Sequence, residues 1–253
     1  MTANNSLKSY RAEFHIHTVL SPCAEIEMIP PLIVASALNK GIELIAITDH
    51  NCSSNVEAVI KVASDTGINV LPGIEVQTRE EVHTLCLFDT LDQIQALQRD
   101  IDRKLPDLQN QPDHFGSQLV VDQSGEFLKY EDRLLLTSVD FSLNELFDLT
   151  DDLGGLFIPA HVDRDVFGLI KNLGFIPQDI AIQILEISKN ITVPNANLKY
   201  PQIKDYSLIQ SGDAHRLDEI MGFNRLSLES PTIAGIKQAI NQKLLEIVGF
   251  SII

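Results

Sequence analysis

Apolar runs with strand character alternate with helical segments along most of this 253-residue chain, and that rhythm restricts the fold more than any other feature. The stretch YRAEFHIH reads as a strand, and PPLIVASALNKG as a helix with prolines at its start and Gly41 at its end. IELIAIT is a near-continuous apolar strand, SSNVEAVIKVASDTG an amphipathic helix closed by Gly67, INVLPG and EVHTLCLF are strands, and LDQIQALQRDIDRKL is a helix. The rhythm breaks over 105–140, where SQLVVDQSGEFLKY has the pattern of a hairpin turning at Gln123-Ser124-Gly125. It resumes with helix SLNELFDLTDDLG, strand GLFIPAH, helix VFGLIKNLG and strands AIQILEIS and YSLIQSGDAH, then closes with NRLSLES and the helix TIAGIKQAINQKLLE. Such alternation predicts a parallel sheet covered by helices, and runs like LIAIT fit strands buried on both faces. A β/α barrel is the first expectation and an open doubly wound sheet the second. No Gly-x-Gly-x-x-Gly follows a strand, which weakens the dinucleotide-binding version. Residues 1–253 are taken as one domain, with 105–140 as an insertion carried on it.

Polar residues fall at matched positions along this pattern. His15 and His17 end the first strand on one face, since alternate side chains of a strand share a face. Asp49 and His50 end LIAIT, Glu75 follows INVLPGI, His161 ends LFIPA, and Asp213 and His215 end LIQSG. In a parallel α/β barrel all strand C-termini emerge on one side, where active sites lie. Residues spread over 200 positions are therefore expected to converge. His83 breaks the rule by opening its strand, and an antiparallel strand or bent loop would bring it in. Six of the seven histidines belong to the set, and His114, in the insertion, reads as a solvated loop side chain. Imidazoles and carboxylates together suit zinc, iron or manganese better than magnesium or calcium.

The ordered motifs FHIHT, AITDHN, PGIE, EVHTLCLF, PAHVD and SGDAH resemble the PHP (polymerase and histidinol phosphatase) family over about residues 10–228. The resemblance implies a distorted seven-stranded (β/α)7 TIM-like barrel holding two or three divalent metal ions. It implies that His15, His17, Glu75 and Asp213 hold the first ion, that Glu75 bridges to a second held by His83 and His161, and that His50 and His215 hold a third. Asp49 would stand behind the ligands and orient an imidazole, and Glu75, Asp213 and His215 would be the catalytic members. Where many relatives place an Asp or His after the HxH, this chain has Pro22 and Cys23. The third site is then completed by the Cys23 thiolate, by Glu25, by water, or left empty.

The resemblance implies a metal-dependent phosphoesterase acting on a small phosphorylated metabolite or nucleotide through a metal-bound hydroxide. Arg164 and Arg216, each next to a ligand motif, are candidates to hold a phosphate oxygen, or are salt-bridge residues. The competing readings are a non-catalytic or partner-dependent module and hydrolysis of another bond type. Against the module stand the eight retained ligand-type residues. The net charge of −16, with no long Lys/Arg run, argues against long nucleic acid as substrate. The stretch MTANNSLKSYRAE has no apolar signal segment, and no run approaches the roughly 20 apolar residues of a membrane span. With Cys23, Cys52 and Cys86 read as reduced thiols, a cytoplasmic protein is expected.

Overall fold

The computed structural model describes residues 6–248; the first five residues of the stretch read for a signal, and residues 249–253, lie outside them. The expected strands form as β1 (Lys8–Ile16), β2 (Leu44–Ile47), β3 (Asn69–Gln77), β4 (His83–Leu87), β5 (Leu119–Val121), β6 (Phe127–Tyr130), β7 (Leu156–Pro159), β8 (Ile184–Ser188), β9 (Ser207–Ser211), β10 (Asn224–Leu228) and β11 (Leu245–Ile247). The helices are α1 (Pro30–Asn39), α2 (Val56–Ala63), α3 (Leu91–Lys104), α4 (Pro112–Phe115), α5 (Leu143–Asp152), α6 (Leu169–Leu173), α7 (Val193–Lys199) and α8 (Ile233–Asn241).

Seven strands make one α/β sheet in the order β11-β10-β1-β2-β3-β4-β7, and β8 and β9 pair in parallel beside it. The amide of Val162, just past β7, bonds the Glu186 carbonyl of β8, while Ile16 of β1 bridges Ala214 just past β9. One strand pair touching both β7 and β1 requires the sheet to curl. β1, β2 and β3 run parallel, as expected, but β4 is antiparallel to both β3 and β7. The cause is local: only residues 78–82 separate β3 from β4, too few for the crossover that parallel neighbours need. Strict β/α alternation is therefore broken here.

Alternate residues of β2 enter different apolar clusters. Ile45 and Ile47 pack with residues of α1, α2 and α3, whereas Leu44 and Ala46 pack with Phe14, Leu85 and α8. That two-sided burial is what the unbroken apolar run signalled. The C-terminal helix is shorter than the sequence suggests. It stops at Asn241, and Leu245–Ile247 instead pairs with β10. α7 falls in a stretch with no helical assignment from sequence, opened by Thr192, whose hydroxyl accepts from the Asn195 amide.

The 105–140 region is laced to the loops at one rim of the sheet. The Leu119 amide bonds the Val19 carbonyl, the Asn55 side chain clamps Leu119 and Val121, and the Asn51 amide group bonds the carbonyls of Leu135 and Thr137. The β5–β6 hairpin turns where expected, with Asp122 accepting from the amides of Ser124 and Glu126.

Candidate metal centre

The strand ends bring the expected residues together. Backbone bonds from His17 to Ala214 and from Ala214 to His15 lock the end of β1 to the loop after β9, and a parallel bridge sets His50 beside Glu75. Because β4 runs backwards, its first residue, His83, pairs with Gln77 at the C-terminal end of β3. The exception in the sequence pattern is resolved by strand direction. His15, His17, His50, Glu75, His83, His161 and Asp213 are all buried, while His114 is exposed in α4.

Glu75 lies at the middle. Its carboxylate oxygens stand 3.2 Å from His15 Nε2, 3.4 Å from His17 Nε2, 2.8 Å from His50 Nδ1, 2.9 Å from His83 Nδ1 and 3.3 Å from His161 Nε2. Asp213 Oδ1 is 3.2 Å from His15 Nε2 and 3.1 Å from His17 Nε2. The tautomers follow from the other ring nitrogens. His15 Nδ1 faces the Glu186 carboxylate at 2.9 Å, which can only accept, so Nδ1 carries the hydrogen. His17 Nδ1 donates to Ser21 Oγ at 2.9 Å, because the Ser21 hydroxyl is itself donated to Asp49. In the neutral rings both Nε2 atoms are then lone pairs. They face each other at 3.1 Å, with Glu75 and Asp213 oxygens closing the ring. With both rings neutral, these four atoms supply no hydrogen to one another, an arrangement that repels itself until a cation, or a proton, sits among them; against the pull of burial, the carboxylates of Glu186, Glu75 and Asp213 hold the His15 imidazole well above its ordinary value. The donor set therefore fits a divalent ion of the imidazole–carboxylate kind.

Two more groups have ligand spacing: His50, Glu75 and His83, and His17, His50 and His215. His50 thus faces both groups. Glu75 Oε2 is buried and, despite its closeness to His50, accepts no well-formed hydrogen bond from a described group, and His161 Nδ1 is likewise buried without a partner. Burial alone would raise Glu75 and Asp213, but the surrounding imidazoles outweigh it and hold both carboxyls well below their ordinary range. Burial likewise keeps His83 neutral, pulled down to about 4.

Cys23 stands at the exposed mouth. Burial of its thiol would raise its pKa, but hydrogen bonds from His215 and His50 bring it down to about 6. It is absent from the ligand-spaced groups. Glu25 is turned away, paired at 2.8 Å with Arg216 on the surface. Arg164 reaches inward, its Nη1 2.7 Å from Asp213 Oδ2. Asp49 touches no imidazole directly; it holds Ser21, which holds His17. Cys52 and Cys86 are buried among apolar neighbours.

Several functional neighbours have no motif in the sequence. Glu186 accepts from both His15 Nδ1 and the His161 amide. Glu13 of β1, which pairs with Ile45 just before a register shift ahead of Ile16, accepts from the amides of Gly212, Met221 and Gly222 and so fixes the loop carrying Asp213. The ring of Phe167 stacks on His83 with centroids 4.4 Å apart. The apolar run of β8 was the available signal for Glu186, since it holds one carboxylate where a core residue is due; Glu13 falls on the polar phase of the β1 alternation, and no local signal marks it. Positive φ angles at Asn51, His161, Phe167 and Asp213 concentrate backbone strain around the cluster, as functional sites often do.

The sequence profile of the PHP domain matches residues 13–158. The chain belongs to the PHP domain family. None of the curated proteins matches the chain. Solved structures similar to this PHP domain include the lesion-specific endonuclease EndoQ from Pyrococcus furiosus, at TM-score 0.69 and 18% identity, over 95% of this chain and 58% of that one. An Endonuclease Q complex with a 27-mer duplex carrying an abasic lesion at its active site matches with TM-score 0.69 and 18% identity, over 93% and 57% of the two chains. A two-domain protein from Bacteroides vulgatus containing a predicted PHP-like metal-dependent phosphoesterase matches with TM-score 0.56 and 14% identity, over 96% and 65%. An amidohydrolase from Chromobacterium violaceum, solved with bound sulfate, matches with TM-score 0.58 and 18% identity, over 94% and 98%. This chain thus spans under three-fifths of the endonuclease's length. At these identities the likeness is one of fold. It still corrects one expectation: the net charge does not exclude long nucleic acid, because a protein of this fold is seen with duplex DNA at its active site. Net charge sums the whole surface, whereas binding depends on the local field. No helix among the described residues is long and apolar enough to cross a membrane.

Proposed function

We propose that this PHP domain is a phosphoesterase that cleaves a small phosphorylated metabolite or nucleotide, using two or three zinc, manganese or iron ions. The observation that carries the reading is the buried ring in which the Nε2 atoms of His15 and His17 face each other and the carboxylate oxygens of Glu75 and Asp213. In this reading those four hold a first ion, Glu75 with His83 and His161 a second, and His50 with His215, and Cys23 at the mouth, a third. The whole chain acts as one domain, its strands completing a seven-stranded barrel, with 105–140 as an insertion shaping the approach to the ions.

Bound divalent ions supply an acidified water as nucleophile and neutralise the phosphoryl oxygens. The chain's own residues do the rest. Glu186 and Ser21 fix the tautomers of His15 and His17, so that both Nε2 lone pairs point inward. Arg164 sits against Asp213 and offers its remaining guanidinium hydrogens to a phosphate oxygen. Arg216, tied to Glu25, is a second candidate at the rim. Buried apolar walls around the cluster keep bulk water from competing with these contacts.

The test pairs metal analysis of the purified protein with phosphate release from a panel of monoesters and diesters. Two or three bound ions with hydrolysis of at least one ester supports the reading. A full complement of ions with no ester cleaved defeats it.

A further inference from the structure

Strand register puts Gln77, the last residue of β3, directly opposite His83, the first of β4. Opposed residues of an antiparallel pair have neighbouring side chains on one face, so a polar group at 77 meets the imidazole. His83 Nδ1 is 2.9 Å from Glu75 Oε1, and Nε2 is 3.4 Å from Gln77 Oε1; among the described residues the ring has no other hydrogen-bonding partner. The Gln77 side chain is oriented in turn from its far end, where Nε2 donates to Ser138 Oγ at 2.9 Å. Ser138 belongs to the 105–140 region, and the chain around it grips the same place twice more. The Val139 amide donates to the Gln77 carbonyl at 2.8 Å. Asn51 Oδ1 accepts from the Gln77 backbone amide at 3.1 Å, while the Asn51 side-chain amide reaches the carbonyls of Leu135 and Thr137.

Stacking fixes the plane of the His83 ring but not its direction. The Phe167 ring lies parallel to it, within 4° and with centroids 4.4 Å apart, and the Phe167 carbonyl accepts from the His83 amide. A half-turn about the Cβ–Cγ bond keeps that plane and exchanges Nδ1 with Cδ2 and Nε2 with Cε1, so the stack tolerates either direction. The contact at 77 does not. A neutral imidazole has one N–H and one lone pair. With Gln77 Oε1 accepting, the hydrogen stays on Nε2 and the lone pair of Nδ1 stands beside Glu75. With the Gln77 amide turned over, Gln77 would donate to Nε2, and Nδ1 would carry its hydrogen toward Glu75. Only the first arrangement lets His83 and Glu75 hold one ion together.

We propose that Gln77, set by Ser138 of the insertion, is a positioning residue for the second ion: its side-chain oxygen keeps the His83 hydrogen on Nε2 and so presents Nδ1 to that ion. The inference rests on the phosphoesterase reading, which gives Glu75, His83 and His161 a shared ion. It adds the ligating atom of His83 and a second role for the 105–140 region, which supports an ion as well as shaping the approach. Glutamine suits the place chemically, because it accepts from the imidazole and donates to the serine at once. Neither a carboxylate nor a hydrocarbon of that size does both.

The test uses the full chain loaded with zinc, which is diamagnetic, and long-range ¹H–¹⁵N correlation spectra of ¹⁵N-labelled histidine. In the wild type, His83 should carry its hydrogen on Nε2 and zinc on Nδ1. Gln77→Leu removes the acceptor, and chelator competition should find one zinc of the complement weakened about tenfold or more, the range for residues standing behind metal ligands, with the others within about threefold. Gln77→Glu keeps an oxygen for Nε2 and should hold every zinc within about threefold of wild type. Ser138→Ala should weaken the same zinc by less, and Ser138→Thr should restore it. Both positions are half-buried, and melting curves check that each variant folds; if Gln77→Leu does not, the wild-type spectrum and the Ser138 pair decide. The proposal is overturned by a hydrogen on His83 Nδ1, by a His83 ring that zinc leaves unshifted, by wild-type affinity in Gln77→Leu, or by equal losses in the Leu and Glu variants, since a mere brace between β3 and the insertion would respond alike to both. Zinc on His83 Nδ1 with no ester hydrolysed would defeat the phosphoesterase reading alone; hydrolysis with His83 ligating through Nε2 would defeat the positioning role alone.

Discussion

Removing only the charge of Glu186 should loosen the first ion. This carboxylate is buried, accepts from His15 Nδ1 at 2.9 Å and from the His161 amide at 3.1 Å, and so braces two ligands of different groups. Glu186→Gln keeps the volume and can still present one oxygen to both donors. What it loses is the ionic character of the bond. A hydrogen bond to a charged group contributes roughly 1.5–3 kcal/mol and a neutral one roughly 0.5–1.5, so the difference is about 1–1.5 kcal/mol. At about 1.4 kcal/mol per decade, that weakens the ion about tenfold, within the range known for residues standing behind metal ligands. Chelator-competition titration at fixed pH measures the affinity, and ¹⁵N NMR of the His15 ring reports which nitrogen carries the hydrogen. If affinity stays within about twofold of wild type while the variant keeps its fold, Glu186 does not position His15 and the tautomer argument falls.

Three further outcomes are expected. Chelation should lower the melting temperature, and restoring an ion to about 100 times its Kd should return about 2.7 kcal/mol; identical melting with and without ions would refute binding to the folded state. Gly212→Ala should destabilise the fold by several kcal/mol and lower ion affinity, because a methyl there overlaps the Glu219 carbonyl oxygen in the loop that carries Asp213; differential scanning calorimetry that finds wild-type stability would contradict this. Burial, despite the backbone amides that oppose it, raises the Glu13 carboxyl from 4.5 to about 7. Its contribution to stability is therefore complete below pH 4.5 and lost as pH rises toward 7, at about 1.4 kcal/mol per pH unit. Glu13→Gln should flatten that slope in urea titrations at stepped pH, and an unchanged slope would show that Glu13 does not titrate there.

Much of the fold was legible because its signals are local. The apolar run of β2, the alternation in β1 and the turn at 122–125 are read from neighbouring residues. Strand ends could be located the same way, so His15, His17, His50, His161 and Asp213 were expected at one rim. Strand β11 and helix α7 were not, since Leu245–Ile247 becomes a strand only by pairing with β10, and PNANLK carries no helical apolar stripe. The insertion was recognisable as a break in rhythm, but not the Asn51 and Asn55 clamps that hold it against the rim.

Periodicity was enough to say which residues end strands, because a strand's faces and limits depend on its own side chains. Partnership was not: His15 meets Glu186 across 171 positions, Arg164 closes on Asp213, and His83 joins the cluster only because β4 turns back along β3. Nothing within a few residues of either partner records such a contact. Packing of the curled sheet alone sets which carboxylate stands behind which imidazole.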